Sequence, residues 1–150
     1  MRIFFALVLS VLSSTAFSTQ VVIKSPCSDV PLLDSQEVLE PGATVGSTTV
    51  QALNRAHIPF VGNAVGINSI NGTPVGEASI EVLGRSEWRV YGWCFHLNGI
   101  EPGVSSDQIS VSSNNDVITW FFAYAEYIHG HWRTMCKPTN VTKPSFICHP

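Results

Sequence analysis

Charged residues are scarce in this chain of 150 residues. They make up 13% of it, whereas about a quarter is usual for a soluble domain. The formal net charge is −3, so the chain has no positive field that would attract a phosphate backbone or an anionic membrane surface. We therefore expect no nucleic acid among its partners.

The sequence also lacks the short motifs of common catalytic and nucleotide sites. It contains no G-x-S-x-G elbow, no Walker lysine and no dinucleotide glycine spacing. A C-x-x-C pair is absent too, which argues against zinc. His129 and His131 share one face of an extended segment, with His96 near if the strands pair, but Glu126 is the one acidic residue close to them in sequence. We expect no catalytic residue, no metal site and no enzyme activity.

No apolar run reaches the roughly 20 residues that a membrane-spanning helix needs. The longest runs from Ile3 to Leu12; it follows Arg2 and precedes several small residues, which is the pattern of a secretory signal peptide. We predict a signal peptide over residues 1–18, a single mature domain over residues 19–150, no membrane span, and a secreted or periplasmic location. Cleavage of this signal peptide would remove the single positive charge of Arg2 and change the formal net charge from −3 to −4.

Four cysteines lie in the predicted mature chain. An even number in an oxidising compartment indicates two disulfides, and four cysteines allow three pairings. We favour Cys94 with Cys136, which would tie an aromatic strand to the end of the fold, and Cys27 with Cys148, which would tie the termini together. In the chain-entropy model, each bridge would contribute roughly 4 to 5 kcal/mol to the free energy of unfolding.

One convincing helix interrupts a series of strand-like segments. Thr48 stands three residues before Gln51, the spacing of a capping box, and apolar residues follow at helical spacing. Pro59 should end this helix by about His57, because the residue before a proline disfavours the helical region. We predict an α+β fold with one main helix and a disulfide-stapled mixed sheet of four to six strands.

Asparagine-glycine pairs mark two of the predicted turns. Asn71-Gly72 follows the strand candidate Val65–Ile70, and Asn98-Gly99 closes a long aromatic strand. Both pairs are typical of type I′ turns, so we expect a β-hairpin at the first of them. The run from Ser113 to Asp116 predicts a further turn.

Two long strand candidates, beginning at Trp88 and at Val117, carry aromatic residues on both faces. One helix covers a single face of a small sheet, so the other aromatic face needs a further cover, a ligand or a partner. Two interpretations stay open. The disulfide-stapled tails and the Asp29–Gly46 loop lie across that face, or the face binds something.

Four segments occur in a recognisable order. They are V-Q-A-L-N-R-A (50–56), I-N-S-I-N-G (67–72), the aromatic strand that ends in L-N-G (97–99), and D-V-I-T-W (116–120). Their order and spacing resemble the transcobalamin-like C-terminal domain, a family of the soluble-ligand-binding β-grasp group. The match covers roughly Thr44 to Trp132, and it implies a β-grasp-like domain.

In the vitamin B12 carriers that contain this domain, it packs over one side of the corrin ring. The resemblance therefore implies a cobalamin-like corrinoid as ligand. Aromatic rings would supply apolar contact, while an Asn amide and backbone groups would bond the peripheral amides of the corrin. We expect a non-catalytic module that binds a small molecule; the alternative is a protein-interaction or surface-structural module that uses the same face to bind another exported protein. The implied ligand-facing residues are Gly66, Asn68, Ser69, Trp88, Tyr91 and Trp93.

Overall fold

The computed structural model describes residues 18–140, 144 and 146–148. The predicted signal peptide, apart from its last residue, lies outside the described residues. Within them the chain forms eight strands, one α-helix and two short 3-10 helices. The elements are β1 Ser18–Ile23, β2 Leu33–Val38, α1 Val45–Arg55, β3 Phe60–Asn63, β4 Gly66–Ile70, a 3-10 helix Gly76–Ser79, β5 Ile80–Gly84, β6 Glu87–Leu97, a 3-10 helix Ser106–Gln108, β7 Val117–Ile128 and β8 His131–Pro138.

Six strands form one mixed sheet, so the α+β class and the single main helix are as predicted. The order is β2-β1-β7-β6-β5, and β8 pairs with β7. β1 runs parallel to β7, and the other pairs are antiparallel. One edge of β7 is shared, because β1 pairs with Val117–Trp120 and β8 pairs with Ala123–Ile128. β3 and β4 form a separate two-stranded sheet.

The register of β6 and β7 decides which aromatic rings share a face. Tyr91 lies opposite Tyr124, Trp93 opposite Phe122, and Phe95 opposite Trp120. Successive side chains of a strand alternate between faces, so all six rings point to the same side. We call this the inner face, because α1 packs on it.

A buried hydrogen-bond chain joins the helix to the inner face. The indole Nε1 of Trp120 donates to Thr49 Oγ1 at 2.8 Å, and that hydroxyl donates to the Val45 carbonyl at 2.7 Å. Trp120, Val45 and Thr49 are all almost fully buried. The apolar core therefore includes polar groups, and the Trp120 indole and the Thr49 hydroxyl bond to each other and to the helix backbone.

The N-cap lies four residues before the predicted one, so the prediction of Thr48 as N-cap was wrong. Thr44 is the N-cap: its hydroxyl accepts from the Ser47 amide, and the Ser47 hydroxyl accepts from the Thr44 amide. Serine replaces the usual Glu or Gln of the capping box, which hides the motif in the sequence. Gly46 lies in the first turn of this helix, where a Cβ would clash with the Ala64 carbonyl oxygen, so the position requires glycine.

The Asn71-Gly72 turn forms without the predicted hairpin. Asn71 and Gly72 have φ values of 53° and 76°, and the Thr73 amide donates to the Ile70 carbonyl at 3.2 Å. However, β4 pairs with the preceding strand β3, and a 3-10 helix follows the turn. Pro74 has no amide hydrogen for a strand ladder, so the chain leaves the turn without pairing.

Two disulfides link the chain, and both are the favoured pairs. Cys94 bonds to Cys136, which joins β6 to β8, and Cys27 bonds to Cys148 across a sequence separation of 121 residues. Paired cysteines are compatible with a protein that folds in an oxidising compartment and is exported from the cell. Among the described residues, none of the helices has the length and apolarity that crossing a bilayer requires.

Candidate functional site

The inner aromatic face is largely covered by the chain itself. Tyr91 is 4% exposed and Trp93 is 9% exposed. The ring of Phe146 packs edge-on against Tyr91 with centroids 5.2 Å apart, and the Cys27–Cys148 disulfide anchors this segment of the tail. Tyr91 is therefore part of the core. The disulfide-stapled tail covers it on the same face as helix α1, whereas the first interpretation placed the tail on the face away from the helix.

A groove of about 370 Å³ remains between β4 and β6. Asn68, an exposed residue of β4, and Trp93, a nearly buried residue of β6, both line it. All the side chains that line it are uncharged, so the groove suits an uncharged, partly apolar group. Its lining residues are Val61, Ile67, Asn68, Val75, Gly76, Gly92 and Trp93.

Thr73 holds the two sides of this groove together. Its Oγ1 accepts from the indole Nε1 of Trp93 at 2.8 Å and from the Ile70 amide at 3.1 Å. Its carbonyl accepts from the buried hydroxyl of Ser69 at 2.6 Å. Ser69 is therefore buried beside the groove, and its hydroxyl is already bonded to Thr73. Thr73 was not among the predicted site residues; its place directly after the Asn71-Gly72 turn is the signal in the sequence that points to it.

Four of the six predicted ligand-facing residues do not line the groove. Tyr91 and Ser69 are buried, and the other two lie farther away. Gly66 pairs with Asn63 at the start of β4, outside the groove. Trp88 stacks on Tyr127 with centroids 4.8 Å apart and an interplanar angle of 12°. Trp88 and Trp93 are five residues apart on one strand, so they point to opposite faces of the sheet. The structure thus brings together Asn68, Ser69 and Trp93, and it separates Trp88 from them.

A polar network closes the end of the inner face that the helix does not reach. The Tyr91 hydroxyl donates to Glu81 Oε2 at 2.6 Å, and Arg89 Nε donates to Glu126 Oε1 at 3.1 Å. The Arg89 guanidinium also lies over the Tyr124 ring, 5.1 Å from its centroid. Burial, together with the hydrogen bond to Glu81, raises the pKa of Tyr91. The tyrosine stays neutral, so the network holds the sheet together and offers no nucleophile.

The three histidines considered as metal ligands do not meet. His96 pairs with Thr119 near one end of β7, whereas His131 pairs with Ile128 at the other, roughly 30 Å away at the rise of a strand. His129 instead lies 3.1 Å from Ser86 Oγ through its Nδ1. Within the part of the chain that the structure describes, no cluster of three metal-type ligands is found.

Comparison with known proteins gives no family model, no curated protein and no solved structure that matches this chain.

Proposed function

We propose that this chain is an exported, non-catalytic domain that binds a small amphipathic molecule non-covalently in the groove between β4 and β6. The observation that carries the proposal is the convergence of Asn68, Trp93 and Gly92 on one groove of about 370 Å³. Cavities of about 300–1,000 Å³ with apolar walls and a few polar groups are typical of ligand sites.

We further propose that the domain is of the β-grasp type. Support comes from the strand order β2-β1-β7-β6-β5, in which the parallel pair β1 and β7 lies at the centre. Helix α1 follows the first hairpin and packs across one face of that sheet. A sheet that holds a helix in this way is the arrangement after which the β-grasp class is named.

The ligand class that we propose is a cobalamin-like corrinoid. A corrin has an apolar ring edge and peripheral amides, and these are the groups that the site can satisfy. Asn68 offers both a donor and an acceptor to an amide, while Val61 and Val75, which are 56% and 45% exposed, offer apolar contact beside Trp93. The groove is small enough to hold only the edge of such a molecule, so this domain alone would bind it from one side.

The test is retention of colour. The oxidised protein is incubated with cyanocobalamin, passed through a gel-filtration column, and its visible spectrum is recorded. We expect the protein and the control Asn115→Ala to retain cobalamin, because Asn115 lies in an exposed turn away from the groove. Asn68→Ala should retain about tenfold less, the loss expected for one or two hydrogen bonds. If the unaltered protein retains no colour, the corrinoid assignment is wrong; if Asn68→Ala retains as much as the control, the groove is not the site.

A second candidate, a protein-interaction module, has one observation in its favour. Large apolar side chains are exposed on two strands near the groove: Val61 on β3 and Val82 and Leu83 on β5 are 56%, 69% and 44% exposed. Contiguous exposed apolar surface is typical of partner surfaces. Native mass measurement tests this candidate. A purely monomeric protein that carries no partner from its expression host would count against it.

A further inference from the structure

A second cleft lies on the other face of the sheet, where two strands end against the same edge of β7. The Lys24 amide, directly after β1, donates to the Trp120 carbonyl at 2.8 Å, and the Thr139 amide, directly after β8, donates to the Phe122 carbonyl at 3.1 Å. The carboxyl ends of β1 and β8 therefore approach each other on either side of Phe121. The two strands run toward each other along this edge of β7, because β1 is parallel and β8 antiparallel to it. Neither strand continues past Phe121, so the chain leaves the sheet there on both sides of the cleft.

The cleft has an apolar floor and a polar rim. Its volume is about 480 Å³, larger than the groove between β4 and β6. Phe121, which is 5% exposed, lies at the base together with Val22. Lys24 stands on the rim where β1 ends, and Asn140 stands where β8 ends. An apolar base below a few polar groups is the composition that orients a small ligand.

The polar groups of the rim are not used by the fold. Within the described residues, Lys24 makes no ion pair, and neither the His96 ring nor the Asn140 amide makes a side-chain hydrogen bond. The His96 ring instead packs on Phe121 with centroids 4.6 Å apart. Lys24 and Asn140 are exposed and His96 is half-buried, so all three groups are free to bond a molecule that enters the cleft.

We propose that this cleft binds a small planar monocarboxylate. The rings of Phe121 and His96 would contact its flat apolar body, and the Lys24 ammonium would pair with its carboxylate. The lining has one cation, Lys24, and one carboxylate, Asp29. A second negative group on the ligand would find no further cation and would be repelled by Asp29. The proposal is independent of the β4–β6 groove, because Phe121 and Trp93 point to opposite faces of the sheet.

Nuclear magnetic resonance of the oxidised, ¹⁵N-labelled chain tests this proposal, with 4-hydroxybenzoate as the probe and benzyl alcohol as the uncharged control. We expect millimolar binding of 4-hydroxybenzoate, with shifts of the backbone amides of Lys24, Ser25, His96 and Phe121 and none at Asn68. Benzyl alcohol should bind about tenfold more weakly, since it lacks the charge that pairs with the ammonium.

Two charge-matched variants complete the test. Lys24→Met should weaken 4-hydroxybenzoate binding about tenfold, whereas Lys137→Met should not, because Lys137 lies on β8 over the Tyr124 ring and outside the cleft. The proposal is overturned if the amides around the cleft do not shift, if benzyl alcohol binds as well as the carboxylate, or if the two variants weaken binding equally. Shifts confined to the β4–β6 groove would also overturn it, while leaving the proposed function in place.

Discussion

Replacing Thr73 with valine isolates the contact that organises the β4–β6 groove. Valine has nearly the shape of threonine, so the change opens no cavity, but it removes the acceptor of two donors. These are the Trp93 indole at 2.8 Å and the Ile70 amide at 3.1 Å. A buried donor without a partner costs about 1–3 kcal/mol, and Thr73 is partly exposed, so water compensates for part of the loss. We therefore expect the free energy of unfolding to fall by about 1–3 kcal/mol in total.

Urea unfolding of the oxidised protein, followed by far-ultraviolet circular dichroism, measures this change. A double-mutant cycle with Trp93→Phe isolates the indole bond, and it should give a coupling energy of about 0.5–1.5 kcal/mol. Thr134→Val is the matched control, because the Thr134 hydroxyl is buried with no hydrogen-bond partner among the described residues. We expect that control to be neutral or slightly stabilising. If the effects of Thr73→Val and Trp93→Phe are strictly additive, the indole bond contributes nothing to stability. If the two threonine changes have equal effects, the hydrogen bonds of Thr73 do not stabilise the groove.

Three further perturbations test the surrounding fold. Arg55→Met leaves the buried carboxylate of Glu37 without the guanidinium that lies 2.8 Å from it. The free energy of unfolding in urea should fall by about 1–2 kcal/mol, a modest loss because Arg55 itself is half exposed. An unchanged urea midpoint would contradict this. Replacing Cys27 and Cys148 together by serine should lower the free energy of unfolding by about 4–5 kcal/mol, and a loss below about 1 kcal/mol would show that the tail needs no anchor. Burial would raise the pKa of Asp116, but hydrogen bonds from one side-chain amide and two backbone amides hold it below its ordinary value. The resulting stability is present above the unfolded pKa of about 4 and is lost as the pH falls through the lowered value, so Asp116→Asn should flatten the acid limb of a pH–stability profile.

Strand periodicity predicted the sheet better than it predicted the site. Alternation along β6 and β7 assigned every ring to its face, because the pairing register follows directly from two long strands that end in defined turns. The same alternation puts Trp88 and Trp93 on opposite faces. Grouping them as one ligand surface came from the resemblance to the B12 carriers, and the strand geometry separates them.

Local signals failed where distant contacts decide the structure. The cap at Thr44 was not recognised because serine stands in the place of Glu, and the need for glycine at position 46 comes from the distant Ala64 carbonyl. The hairpin expected at Asn71-Gly72 required a strand after the turn, yet β4 already had β3 as its partner. That Phe146 would cover Tyr91 depends on a disulfide across 121 residues, which no local pattern encodes.

Titration of the ¹⁵N-labelled, oxidised protein with cyanocobalamin tests whether the β4–β6 groove is the binding surface. We predict saturable shifts of the Asn68 and Gly92 amides and of the Trp93 indole N–H, while the amides of Val22 and Phe121 on the opposite face stay in place. Shifts at Val22 and Phe121 with none at Asn68 and Trp93, or no shifts at all, would contradict the account.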